Sequence, residues 1–169
     1  MCNGFGRRAF FQYDTLGEVA MTPPLIRSIF LVQLASTLLM VGLIWFVQLV
    51  HYPLMARVGE PGFTLYEEEH TRRVTWIVAP LMLAEAFSSA LFLRLRPAGV
   101  PAVAAWLGLL LLVVVWFSTF ALQVPAHQKL VERFDPETVR RLVASNWIRT
   151  LAWTARGGLV LWTVSRARS

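Results

Sequence analysis

Four apolar segments constrain this sequence most, because each is long enough to cross a lipid bilayer as a helix. They cover residues 29–50, 74–93, 102–122 and 147–164. A bilayer core takes about 20 helical residues to span, and lipid-facing backbone must satisfy its own hydrogen bonds, which excludes an open sheet. We therefore expect an all-α fold, an integral membrane four-helix up-and-down bundle.

Composition supports a membrane protein and argues against nucleic-acid binding. Hydrophobic residues make up 56% of the 169-residue chain, more than a soluble domain of this length usually carries. The net charge is +6, but the basic residues flank the apolar segments, where they contact lipid headgroups. The single cysteine, Cys2, excludes an intrachain disulfide and a cysteine-based metal site.

Residues 1–26 are expected to form an N-terminal tail before a transmembrane domain at 27–169. The tail has no continuous apolar core of the kind that a secretory signal needs, so it is interpreted as disordered or as a mis-assigned start upstream of Met21. The arginines of the N-terminal flank, the link at 94–101 and the C-terminal end favour both termini in the cytoplasm. We expect the protein to lie in a bacterial inner membrane.

Local signals place the starts of two helices before their membrane spans. Thr64 followed by Glu67 is a capping-box pattern, and it predicts that the second helix begins near Leu65. Asp135 followed by Pro136 predicts the N-cap and first turn of the fourth helix. The second and fourth helices are then expected to protrude from the outer membrane face, where the first and third helices end.

All three histidines lie at this outer face. His51 ends the first helix, His70 lies on the protruding part of the second, and His127 follows the third. Helical spacing adds a glutamine to two of them, since Gln48 precedes His51 by three residues and Gln123 precedes His127 by four. These side chains are expected to share one polar cavity that opens outward.

Two helical stripes carry polar residues toward the membrane interior. They comprise Glu67, His70, Val74, Ile77, Leu81, Glu85 and Ser88 on the second helix, and Asn146, Arg149, Trp153 and Arg156 on the fourth. Glu85 and Arg156 lie at similar depths, and since ionised groups inside a membrane are usually paired or functional, we predict an ion pair between them. This pair serves either to fix helix register or to relay protons.

Three interpretations of the histidine-rich face stay open. In the first, His51, His70, His127 and Glu67 bind a transition metal (Cu, Fe or Zn), for which neutral imidazoles are good ligands, although no compact HExxH motif is present. In the second, a metal-free polar pocket uses the histidines to bind substrate or to move protons. In the third, the histidines are solvated residues of the membrane interface.

Five polar or aromatic residues near this face are the expected substrate contacts. Arg149, Asn146 and Trp153 offer a cation, an amide and an aromatic face on one stripe, which suits a flat lipophilic molecule with polar edges. Gln48 and Gln123 add amides from the other helices. Snorkelling of Arg149 to lipid phosphate is the alternative.

Short motifs in the chain resemble a known family. The segments QVPAHQKL (123–130) and NWIRTLAW (146–153), with Asp135 between them, and VHYPLM (50–55) are similar to the small four-helix membrane proteins of the anthrone oxygenase-like family. The resemblance implies a four-helix membrane fold. It also implies, for some members, oxidation of polyketide anthrones without an established cofactor.

The leading hypothesis is a small membrane oxidoreductase or oxygenase-like protein that acts on a lipophilic small molecule. His70, His127, Arg149 and Glu85 are the expected catalytic residues. The alternative is a non-catalytic accessory subunit or a lipid- or ligand-binding membrane protein. Membrane lipid and a lipophilic molecule are the expected partners, nucleic acid is not, and a homo-oligomer or a larger membrane complex is compatible with the sequence.

Overall fold

The computed structural model describes residues 23–97 and 99–167, and every regular element in them is helical. The helices are α1 (Pro23–Phe46), α2 (Tyr52–Met55), α3 (Glu60–Leu95), α4 (Ala102–Ser118), α5 (Val124–Glu132) and α6 (Pro136–Ala167). Two π-helical turns, Val47–His51 and Thr119–Gln123, join α1 to α2 and α4 to α5. The resulting four rods (α1–α2, α3, α4–α5 and α6) confirm the expected all-α four-helix fold. Residues 1–22 of the predicted tail, which include the start at Met21, lie outside the described residues, and residues 23–26 belong to α1.

Within the described residues, three rods are both long and apolar enough to cross a membrane, as expected of an integral membrane protein. They are Leu25–Met55, Glu60–Leu95 and Ala102–Glu132. The fourth rod, α6, is long but not apolar enough to be counted with these three. The prediction of a fourth apolar span at 147–164 is therefore not met. The physical reason is that α6 carries polar residues buried against the other rods, among them Asn146, Arg149 and Arg156.

Buried apolar side chains fill the bundle in clusters along its length. The cluster at the histidine end includes Tyr52, Met55, Phe63, Leu130 and Leu142. The next cluster includes Met40, Ile44, Met82, Val115 and Trp153, and the one near the α3–α4 link includes Phe92, Val100 and Ala104. Because the first two clusters draw on all four rods, burial of apolar area holds the rods together at both levels.

The start of α3 differs from the prediction. This helix begins at Glu60, five residues before the predicted Leu65. Gly59 takes a φ of 82°, a left-handed conformation that only glycine adopts readily, and it therefore ends the preceding turn. Thr64 lies inside the helix, so the capping-box interpretation is wrong, and the Glu67 side chain is free to serve the site described below.

The start of α6 confirms the prediction. The carboxylate of Asp135 accepts hydrogen bonds from the backbone N–H groups of Glu137 (3.2 Å) and Thr138 (3.1 Å). The pKa of Asp135 lies below its ordinary value of 3.8. The largest cause is the hydrogen bond from the Thr138 hydroxyl to the carboxylate, and the two backbone N–H groups contribute less. The negative charge at the helix start also interacts favourably with the helix dipole.

The two π turns occupy corresponding positions in their rods. In each, the first residue after the turn, Tyr52 or Val124, donates its N–H to the carbonyl five residues earlier. The residue after that is a proline, Pro53 or Pro125, which has no N–H to donate and needs room for its ring. A π turn holds one extra residue, so side chains beyond it are rotated by about 100° relative to a regular helix of 3.6 residues per turn.

Candidate functional site

A cavity of about 430 Å³ lies between the α1–α2, α3 and α4–α5 rods, with one residue contributed by α6. Most of its wall is apolar and includes Met40, Leu43, Ile44, Val74, Val78, Met82, Trp116 and Phe120. Its polar wall includes Tyr52, His70, Gln123, His127 and Arg149, which come together from all four rods. The volume and this division suit a small lipophilic molecule with one polar end.

The cavity opens sideways between α3 and the α4–α5 rod. Leu83 and Phe120 border the cavity and are 48% and 60% exposed. Both lie in segments that are apolar enough to cross the membrane. The opening therefore faces lipid.

His127 connects a buried carboxylate to the wall of the cavity. Its Nδ1 contacts Oε1 of Glu67, and its Nε2 lies 3.1 Å from the hydroxyl of Tyr52. Glu67 is fully buried, and its Oε2 has no hydrogen-bond partner among the described residues. The Tyr52 hydroxyl also lies 3.3 Å from Oε1 of Gln123. We call Glu67, His127 and Tyr52 the proton chain.

The Tyr52 hydroxyl can take two orientations in the proton chain. When it donates to Oε1 of Gln123, its oxygen can accept from an Nε2–H of His127. When it rotates toward His127, it donates to an Nε2 that carries no hydrogen. Rotation of a single O–H bond therefore exchanges the donor and acceptor roles of Tyr52 and His127.

The other two histidines stack on each other beside the proton chain. The ring centroids of His51 and His70 are 4.3 Å apart, with an interplanar angle of 28°, and those of His70 and His127 are 5.6 Å apart. The hydroxyl of Tyr66 lies 3.5 Å from Nε2 of His51. The three predicted histidines thus do come together, but only His70 and His127 line the cavity.

This arrangement does not favour the predicted metal site. The lone pairs of an imidazole lie in the plane of its ring, so the stacked rings of His51 and His70 direct theirs to different points. Both nitrogens of His127 already have partners. In the described part of the chain, no group of three or more His, Cys, Asp or Glu side chains is placed to hold one metal ion.

Arg149 is buried at the cavity wall with few partners. It is 7% exposed, and its guanidinium lies 5.2 Å from the centre of the Trp153 ring. Its polar neighbour is Tyr52. Its Nε has no hydrogen-bond partner among the described residues, and no described carboxylate forms an ion pair with it. The side chain thus lies inside the bundle and does not extend to a membrane surface.

Glu85 and Arg156 form the predicted ion pair deep in the bundle. Arg156 Nε donates to Glu85 Oε1 over 3.1 Å, and both residues are fully buried. Further hydrogen bonds of the two side chains reach Thr37, Ser89, Gly108 and Trp153, so that all four rods are tied to this pair. Glu85, expected to be catalytic, does not line the cavity, and its carboxylate oxygens are already hydrogen-bonded.

Two residues expected to bind substrate bind each other. Nδ2 of Asn146 donates to Oε1 of Gln48 over 2.8 Å, and Gln48 donates to the Val143 carbonyl over 3.3 Å. Asn146, Gln48 and Trp153 are buried, and none of them lines the cavity. On α3, Ile77 is 55% exposed and does not line the cavity. The predicted stripe from Glu67 to Ser88 therefore does not face the cavity along its whole length.

Tyr52 is the site residue that the sequence reasoning missed. Regular helical spacing places His51 on the same face as Gln48. The π turn inserts one residue, so Tyr52 takes the inward position instead. Pro53 is the sequence signal that could have pointed to an irregular turn at this position.

Comparisons with known proteins assign no family to the chain. No family model, no curated protein and no solved structure matches it. The resemblance to the anthrone oxygenase-like family therefore stays an expectation. The function has to be inferred from the geometry of the site.

Proposed function

We propose that the protein is a small membrane enzyme that binds a lipophilic molecule in the cavity and moves a proton at its polar end. The observation that carries this proposal is His127, which lines the cavity between a fully buried Glu67 and the hydroxyl of Tyr52. A carboxylate behind an imidazole orients the ring and stabilises its protonated form. A positioned base of this kind accelerates proton transfer by about 10²–10⁴-fold.

The reaction that we propose is the oxidation of an enolisable lipophile by dioxygen, in keeping with the oxygenase-like resemblance. The Tyr52 oxygen accepts a proton from an acidic C–H as its own hydroxyl proton passes to Nε2 of His127, and the substrate is left as an enolate. The enolate carbon bonds to O₂, and the resulting hydroperoxide loses water, so one oxygen atom enters the product as a carbonyl and the other leaves as water. Arg149 is placed to offset negative charge at the polar end of the bound molecule, and His70 to contact that molecule.

We also propose that the protein lies in a bacterial inner membrane with both termini in the cytoplasm. The basic residues that flank the apolar segments support this orientation. The histidine end of the bundle then lies toward the outer face. The acid–base chemistry would take place at that side of the membrane.

Oxygen uptake by the purified full-length protein in lipid nanodiscs tests the proposed enzyme. Anthrone is a suitable probe because it is flat and lipophilic and carries an acidic C–H, and its conversion to anthraquinone can be followed by absorbance. We expect His127→Gln to lower the rate by about 10²–10⁴-fold, and Glu67→Gln to lower it less. His51→Gln is the matched control, since His51 belongs to the same ring cluster but does not line the cavity.

Three other outcomes have distinct meanings. Equal rates in His127→Gln, His51→Gln and the wild type would contradict the proposed role of His127. Binding of anthrone without turnover would support the non-catalytic accessory or ligand-binding alternative. A rate that a chelator abolishes and Cu, Fe or Zn restores would support the metal interpretation, whereas the proposed proton chain predicts no effect of chelation.

A further inference from the structure

Two buried arginines on α6 differ sharply in how their charges are compensated. Arg149 and Arg156 are seven residues apart and therefore lie on the same face of the helix. Arg156 uses all three of its nitrogens, on Glu85, Ser89 and the Gly108 carbonyl. Arg149 has no such set of partners.

The position of Arg149 shows where a missing partner would lie. The residue lines the cavity and is 7% exposed, its Nε has no hydrogen-bond partner among the described residues, and the face of Trp153 covers one side. The buried carboxylate of the proton chain, Glu67, already contacts His127. A buried charge is expensive unless it is paired, and the remaining space around this one is the cavity.

We infer that the cavity takes a lipophilic molecule that carries a carboxylate, with Arg149 as its counter-ion. This inference rests on the proposed function and names the substrate class for the same cavity. A guanidinium presents parallel N–H groups that match the two oxygens of a carboxylate. The apolar remainder of the molecule lies along Val78, Met82 and Phe120.

Binding of two fluorescent probes that differ only at one end group, a carboxylate or its methyl ester, tests this inference. The probes are dansylaminoundecanoic acid and its methyl ester, and the full-length protein is held in nanodiscs of phosphatidylcholine, whose surface has no net charge to attract the acid. We expect the acid to bind about tenfold or more tightly than the ester, because a hydrogen bond to a charged group contributes at least that factor.

Three variants assign the preference to Arg149. Arg149→Gln should abolish it by weakening binding of the acid to about the affinity of the ester. Arg149→Lys should keep part of it, because lysine retains the charge but not the planar fork. Arg141→Gln is the matched control, since Arg141 is exposed on the same helix and pairs with Glu137. Without ligand, Arg149→Gln should melt no lower than the wild type, since it removes an unpaired buried charge; a purely structural role would lower the melting temperature.

The outcomes separate this inference from the proposed function. Equal affinities for acid and ester, or a preference that survives in Arg149→Gln, would overturn the inference. Ala79→Trp should fill the cavity and block binding of the ester. If it does so while acid and ester bind equally well, the proposed function would stand and the inference of a carboxylate would not. Absence of binding of either probe would count against both. Displacement of the acid by equimolar phosphatidylglycerol would also overturn the choice of a carboxylate, because a lipid phosphate would then be the counter-ion.

Discussion

At the scale of single residues, the Glu85–Arg156 pair shows what a charge needs in order to remain inside this bundle. Removing two charges from water costs several kcal/mol for each, and their attraction alone does not reliably offset it. Here Glu85 also accepts from Thr37 over 2.8 Å and from the Trp153 indole over 2.9 Å. The completeness of the hydrogen bonding therefore decides the stability of the pair.

Breaking this pair from one side should be costly. We expect Arg156→Met or Glu85→Met to lower the free energy of unfolding in detergent by about 3–5 kcal/mol, because each leaves a buried charge without a partner. The double variant should lose much less than the sum of the two. Glu137→Gln, in an exposed pair with Arg140, should change stability little. Strict additivity of the two single variants would contradict the proposed coupling.

Some residues of the site could be predicted from the sequence and others could not. The depth of Glu85 and Arg156 was enough to predict their pairing, because isolated charges are rare inside a membrane. The contact between Glu67 and His127 was not predictable from spacing, since it joins two different rods. Helical periodicity shows which residues share a face and does not show which rod that face meets.

At the scale of elements, the π turns set the direction of the site residues. The turn Thr119–Gln123 lies directly before α5, which carries His127. One extra residue in the turn rotates everything after it by about 100°. Whether His127 meets Glu67 therefore depends on the length of this turn.

Deletion of Ala121 from the turn should separate folding from function. A chain one residue shorter can continue as a regular α-helix, so we expect far-UV circular dichroism to show unchanged helix content. His127 would be rotated away from Glu67, and both anthrone turnover and probe binding should fall to background. Ala121→Ser, which keeps the residue count, is the control. A deletion variant with wild-type turnover would show that the turn does not position the site.

The helices were predictable because apolar length in a bilayer allows few alternatives. Their irregularities were not predictable in the same way. A pattern search assumes one period throughout, so it cannot place Tyr52 beyond a π turn. It also assigned Thr64 to a cap, although Gly59 and its positive φ had already ended the preceding turn.

At the scale of the whole molecule, α6 directs several polar side chains into the bundle and apolar ones such as Leu151 and Leu161 outward. The four-rod fold could therefore be predicted, although α6 is less apolar than the other three rods. The polar groups of α6 contact other rods instead of lipid. Sequence composition records which residues are polar and does not record which direction they face.

The proposed orientation can be tested by labelling in cells. In a Cys2→Ser background, Arg57→Cys lies between α2 and α3, and Arg96→Cys lies after α3; both positions are exposed. We expect a membrane-impermeant maleimide to label position 57 on intact cells, and position 96 only after permeabilisation. Each substitution removes one basic charge, so the two variants are matched. The reverse labelling pattern would place the histidine end in the cytoplasm.

The sideways opening beside Leu83 and Phe120 changes what concentration means for this protein. A molecule that enters through it has already dissolved in the bilayer, so its occupancy depends on the number of copies per lipid and not on the amount in water. Adding empty vesicles at a constant amount of ligand would dilute the ligand across more membrane and lower the occupancy. The bilayer is thus a two-dimensional solvent for the ligand as well as the surroundings of the protein.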